Sequence, residues 1–182
     1  RVGIVPRKWP TLEESFAQPG GQIMIDPQGQ FAASELETVR RFVENGGTLY
    51  VFDDPANTGS TSNQALAQFG LSLDLRVQPP PPGMIDHLQI LLWNGGGRTV
   101  GGEPLLPGPD GSSLCSLARH GKGQVIAFAN SHIFERKTMG YTAMIPNASQ
   151  NAISQLEYRL MSYLNYPPVH AGAESPTNLS TE

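Results

Sequence analysis

Three places in the chain put polar side chains directly behind an apolar run: Asp26 after "QIMI", Asp53 and Asp54 after "TLYVF", and Asn130, Ser131 and His132 after "QVIAFA". In an open α/β sheet, ligands gather beyond the carboxyl ends of the strands, so these are the positions where chemistry is expected. Gly59, Ser60 and Thr61 stand before a predicted helix, where backbone N–H groups can hold an anion. One reading makes Ser131 a nucleophile or His132 a base, oriented by Asp53 or Asp54. Against it, no strand-to-helix elbow of the Gly-x-Ser-x-Gly kind is present. Ser131 and His132 are also sequence neighbours, which point to opposite sides of an extended chain. The other reading gives the aspartates turn and capping roles: Asp53 or Asp54 bonding to N–H groups around Pro55, and Asp26 opening a turn at Pro27. His132, between Ser131 and Ile133, then becomes a hydrogen-bonded structural residue.

The remaining reactive types give less. Cys115 is the only cysteine and sits between Leu114 and Leu117, as a strand residue would. His87, His120, His132 and His170 show no metal-ligand spacing, so no metal and no cofactor is expected. An oxygen-only cation site at Asp53 and Asp54 is the one alternative. "NGGG" and "HGKG" lack the phosphate-loop spacing, and Lys122 belongs to a hairpin turn. Asn147 and Asn178 match the glycosylation sequon, but Asn147 is better used as a helix cap. A different kind of site is a protein contact: the ridge Pro79–Pro82, with Pro81 and Pro82 ahead of Trp93, and the loop "MGYTAMIP" around Tyr141. Stiff prolines and aromatics lose little entropy on binding.

These groups need a scaffold, and the sequence supplies one. The helix over 34–45 is the best signalled, with Ser34 as cap, Glu37 three residues later, and Leu36, Val39, Phe42 and Val43 on one face. Gly46 and Gly47 end it. "TLYVF" is a continuous apolar strand of the kind buried on both faces. Residues 23 to 52 therefore read as a β–α–β unit. "RVGIVP" reads as a short strand. "TSNQALAQFG" reads as a helix stopped by Gly70, and "LSLDLRV" as a strand near a sheet edge. "HLQILLW" reads as a strand, and "SLCSLARHGKGQVIAFA" as two strands around a tight turn at 120–123. A last helix is capped by Asn147 with Gln150, and carries Ile153, Leu156, Leu160, Met161 and Leu164 as a stripe.

The whole is read as one α/β domain over residues 1–166. It has a mostly parallel sheet, helices on both faces in three layers, and a β-hairpin near one edge. A polar tail follows over 167–182. The 182 residues suffice for a full core, while 38% hydrophobic content with 20 Gly and 16 Pro points to many turns. The net charge of −4 and the scattered 12 basic residues argue against nucleic-acid binding. No apolar run reaches the ~20 residues that cross a bilayer. The first residue is Arg1 rather than Met, which reads as a processed protein or an excised segment.

The order of "IDP", a capped helix, "FVENGGTLYVFDD", "GKGQVIAFANSHIF" and "NAISQLEYRLMSYL" resembles the glutamine-amidotransferase-like α/β domains. The resemblance runs from about Gln22 to Leu164 and is to a non-enzymatic branch. That branch includes a prokaryotic membrane-anchored domain of unknown function, the auxiliary domain of gliding-motility-type ABC transporters, and a related intraflagellar transport domain. It implies a domain without its nucleophile, acting as a binding or scaffold part of a membrane-associated or multi-protein complex. The partner would be a protein at a membrane or envelope, with the domain outside the bilayer on the periplasmic or extracytoplasmic side. A small-molecule or anion ligand at the strand exits is the companion expectation, and a hydrolase there the alternative.

Overall fold

A computed structural model describes residues 8, 10–18, 20–84, 87–139 and 145–165. The strand expected over Arg1–Pro6, the loop around Tyr141 and the tail from 167 lie outside the described residues.

A short helix α1 (Leu12–Phe16) leads into β1 (Gly21–Ile25), α2 (Ala33–Glu44) and β2 (Thr48–Phe52). β1 and β2 pair in parallel, as the β–α–β reading requires. All five residues of β2 are buried, which is why "TLYVF" shows no polar alternation. α2 buries Val39, Phe42 and Val43, while Phe16 of α1 meets Phe42 edge-on at 5.0 Å. The cap of α2 differs from the expectation. The helix starts at Ala33, and the N–H of Ala32 donates to Glu35 Oε2 at 2.7 Å. Glu37 is engaged further along by Arg40 and Arg41, which leaves Ser34 inside the first turn.

α3 (Ser62–Leu66) runs through a 3-10 turn to Gly70, whose φ of 68° ends it as expected. β3 (Ser72–Asp74) follows, then α4 (His87–Trp93) and β4 (Arg98–Val100). Two expectations are corrected here. "HLQILLW" is helical rather than a strand: its His-Leu-Gln-Ile start alternates as a strand does, and 7 residues are too few to show a helical period. β3 does not join the main sheet but pairs antiparallel with β4 in a separate two-stranded sheet. The glycine run read as a loop makes this possible: a Cβ at Gly97 would stand 2.3 Å from the Asp74 carbonyl.

β5 (Glu103–Pro104), β6 (Cys115–His120) and β7 (Gly123–Phe128) complete the main sheet, whose order is β1-β2-β7-β6-β5. β2 and β7 are parallel, whereas β6 and β5 return antiparallel. α5 (Arg136–Met139) and α6 (Ala148–Ser162) close the fold. Asn147 and Gln150 form the reciprocal cap of α6 that the sequence announced. Tyr50 on β2 donates its hydroxyl to the Leu160 carbonyl at 2.8 Å, tying α6 to the sheet. Phe52, Phe128 and Phe134 cluster on that same side. Leu49 and Val51 point the other way along β2.

The two glycine motifs touch one another. Lys122 N–H donates to the Glu44 carbonyl at 3.0 Å, and Gln124 N–H to the Gly47 carbonyl at 3.2 Å. The hairpin turn thus accepts the end of α2, which sets β7 beside β2 and brings their exits together. Among the described residues, no helix is long and apolar enough to cross a membrane.

Candidate functional site

Because β1, β2 and β7 are parallel neighbours, Asp26, Asp53–Asp54 and Asn130–Ser131 leave the sheet at the same end. Backbone bonds extend the ladder past the strands: Asp26 N–H to the Phe52 carbonyl at 2.9 Å, Asp53 N–H to Phe128 at 3.0 Å, and Ser131 N–H to Asp53 at 3.1 Å. The three polar exits therefore meet at one edge.

Asp53 is wholly buried, and four donors meet its carboxylate. Oδ1 accepts from Asp54 N–H and Asn57 Nδ2, each at 2.9 Å, while Oδ2 accepts from the hydroxyls of Ser60 at 2.6 Å and Ser62 at 2.5 Å. The start of α3 is thus occupied by the protein's own anion. Ser60, offered as an anion-binding residue, spends its hydroxyl proton on Asp53 and accepts from Ser62 N–H at 3.2 Å. Asp54 Oδ1 accepts from Ala56 N–H at 2.7 Å, the turn chemistry expected around Pro55. Its Oδ2 lies 2.7 Å from Ser131 Oγ, which also lies 2.7 Å from Asp26 Oδ1. Asp26 is held at φ 48°, the only described non-glycine residue with positive φ. An aspartate tolerates that region better than most residues. Burial raises the Asp26 pKa above its usual 3.8; the Ser131 hydroxyl works against this, and the Asp54 and Asp53 charges add to it.

The residues of the catalytic alternative are only partly brought together. Ser131 Oγ faces two carboxylates rather than an imidazole, and His132 turns outward, with Nδ1 3.5 Å from Glu135 Oε1. Asn130 is buried and donates Nδ2 to the Leu92 carbonyl at 2.7 Å, fastening α4 to the end of β7. Among the described residues, no group of three or more His, Cys, Asp or Glu is placed to hold a metal.

An open groove of about 480 Å³ borders the bracket and is lined by Asn57, Ser60, Asn63 and Arg76, among others. These four are already engaged inside the protein: Asn57 and Ser60 with Asp53, Asn63 with both backbone groups of Leu73, and Arg76 with Asp74. Asn57 and Ser62 were not singled out from the sequence. Their positions in the loop behind Asp53, four and nine residues on, were the available signal.

The candidate contact residues divide. Pro82 is exposed and Pro81 buried. Trp93 is 3% exposed, with the Arg98 guanidinium 4.5 Å above its ring, so this aromatic belongs to the interior. Tyr141 lies outside the described residues. Cys115 is buried, and burial drives its thiol pKa far up.

No known family model and no curated protein matches the chain. Among solved structures, the chain is similar to one described as "mmIFT52 N-terminal domain". The likeness has a TM-score of 0.59 at 12% identity and covers 91% of this chain and 85% of that one. At that identity it is a likeness of fold, and it agrees with the intraflagellar transport side of the resemblance read from the sequence. The exo-beta-1,4-mannosidase Op5Man5 from Opitutaceae bacterium strain TAV5 aligns at a TM-score of 0.39 and 20% identity, over 75% of this chain and 25% of its own, and carries no argument.

Proposed function

We propose that this domain is a non-catalytic binding or scaffold module, related in architecture to the three-layer glutamine-amidotransferase-like domains and active through a protein partner. The observation that carries the reading is the saturation of the strand-exit polar groups from within. Asp53 receives four internal donors, Asp54 caps its own turn, and Ser131 is spent on two carboxylates. A nucleophile needs a base within reach and an open face; Ser131 has carboxylates within reach, but its side chain is buried and closed in by them. The fold likeness to an IFT52 N-terminal domain is compatible with this reading.

The finer reading places the module in the soluble part of a membrane- or envelope-associated complex, as an auxiliary domain of an ABC-transporter-type assembly would be. Its contact face would include Pro82 and the loop around Tyr141. A small anion or sugar at the groove beside Ser60 is a secondary occupant.

Alanine replacement of Asp53, Asp54, Ser131 and His132, one at a time, tests the reading. Unfolding free energies should fall for Asp53 and Asp54, while His132→Ala should change little. A hydrolytic turnover that disappears in Ser131→Ala and His132→Ala at unchanged stability would overturn it.

A further inference from the structure

Asp26, Ser131 and Asp54 meet in a contact whose hydrogen bonds need more protons than a hydroxyl and two carboxylates supply. Ser131 Oγ lies 2.7 Å from Asp26 Oδ1 and 2.7 Å from Asp54 Oδ2. A hydroxyl has one proton to donate, and an ionised carboxylate only accepts. Two oxygen–oxygen contacts of that length therefore need two protons, one of them on a carboxyl group. Asp53 is not that group, because both its oxygens are met by donors. Asp54 is disfavoured, because its Oδ1 already accepts from Ala56 N–H. Asp26 remains. Its residue is exposed overall while its carboxyl turns inward to Ser131, which is only 6% exposed.

We infer that Asp26 is protonated in the closed state and donates to Ser131 Oγ, which donates in turn to Asp54, so that one proton clasps the exits of β1, β2 and β7. The clasp opens when Asp26 ionises. Three carboxylates would then share one end of the sheet, and the Ser131 hydroxyl could satisfy only one of its two neighbours. Asp26 would then lose the bond that helps hold it at φ 48°.

The groups facing Asp26 are Asp53 and Asp54 from the β2 exit and Ser131 from the β7 exit. The charges that follow Ser131 are turned to one another, His132 to Glu135 at 3.5 Å and Glu135 to Lys137 at 2.8 Å. The Glu35 carboxylate in the first turn of α2 is bound to Ala32 N–H. No described cation is paired with Asp26 to hold it ionised. A carboxyl that keeps its proton longer when folded stabilises the fold fully below its unfolded value, near 3.8. That contribution fades as pH rises through the folded value. Each unit separating the two values changes the folded-to-unfolded ratio about tenfold.

The test is urea unfolding at intervals from pH 4 to pH 8 for the wild-type chain and Asp26→Asn, with a carboxyl-detected NMR titration of Asp26 in the wild type. The Asp26→Asn side chain would mimic the protonated state, since its amide donates to Ser131 at every pH. Relative to this variant, wild-type stability should decline as pH rises, and Asp26 should titrate above its ordinary value. Parallel pH profiles for the two proteins, or an Asp26 carboxyl titrating at or below 3.8, would overturn the inference. The titration needs only the wild-type chain and decides the matter even if the variant folds poorly.

Discussion

Replacing Asp53 with alanine withdraws one acceptor group from four donors at once, in a position with no solvent exposure. A hydrogen bond to a charged group contributes ~1.5–3 kcal/mol, but the four do not simply add. Ser60 lies near the surface and can turn to water, whereas Ser62, 1% exposed, the Asn57 amide, 9% exposed, and the Asp54 backbone N–H are left short of partners. Depriving three buried donors of Asp53 and losing the contacts that position α3 gives an expected loss of ~3–5 kcal/mol for Asp53→Ala. Asp53→Asn keeps the volume and one accepting oxygen, and the two serine hydroxyls can rotate to accept from the new amide. Its cost should be ~1–2 kcal/mol. Urea titrations with linear extrapolation measure both, and an unchanged slope shows that the denatured state is not what changed. A loss below ~1 kcal/mol for Asp53→Ala would refute the reasoning, because a structural bracket cannot be removed so cheaply.

Other consequences follow from close packing. Gly123→Ala would put a Cβ 2.2 Å from the Val43 carbonyl and 2.3 Å from the Gly47 carbonyl, both rigid backbone. The joint between α2 and the hairpin should open at a cost of ~3 kcal/mol or more, seen as a fall in Tm. Tyr50→Phe removes the hydroxyl that donates to Leu160 and should cost ~1–1.5 kcal/mol in unfolding free energy while leaving the fold unchanged. A loss of zero would mean that α6 is not held there. Cys115 is buried, with its thiol pKa driven up, so labelling by a thiol reagent at neutral pH should track global unfolding. Rapid labelling of the folded chain would contradict the placement of β6.

The elements with a clear period were legible beforehand. Val39, Phe42 and Val43 on α2, the all-apolar β2, the β6–β7 turn and the Asn147 cap carry their signals within a few residues. The middle was not legible, and the reasons are physical. "HLQILLW" alternates polar and apolar at its start and then runs apolar, which is too short a pattern to choose helix over strand. The pairing of β3 with β4 depends on backbone approaching Gly97, which a sequence shows only as a flexible run. At the site, the three exits could be brought together by reasoning, because strand ends follow from topology. Which donors meet which oxygens could not, since Asn57, Ser60 and Ser62 reach Asp53 only through the particular path of one loop. Trp93 shows the same limit: Arg98 comes over its ring only through the way the glycine turn between α4 and β4 folds back.

The central claim is that the domain works by holding a protein partner rather than by turning over a substrate. Crosslinking mass spectrometry on the full-length protein in its native cells tests it most directly, with Lys8, Lys122 and Lys137 as reporters on different parts of the chain. The account predicts reproducible crosslinks from one or more of these lysines to the same partner protein, confined to one side of the domain. A protein found solitary under conditions where it is fully folded would contradict the account.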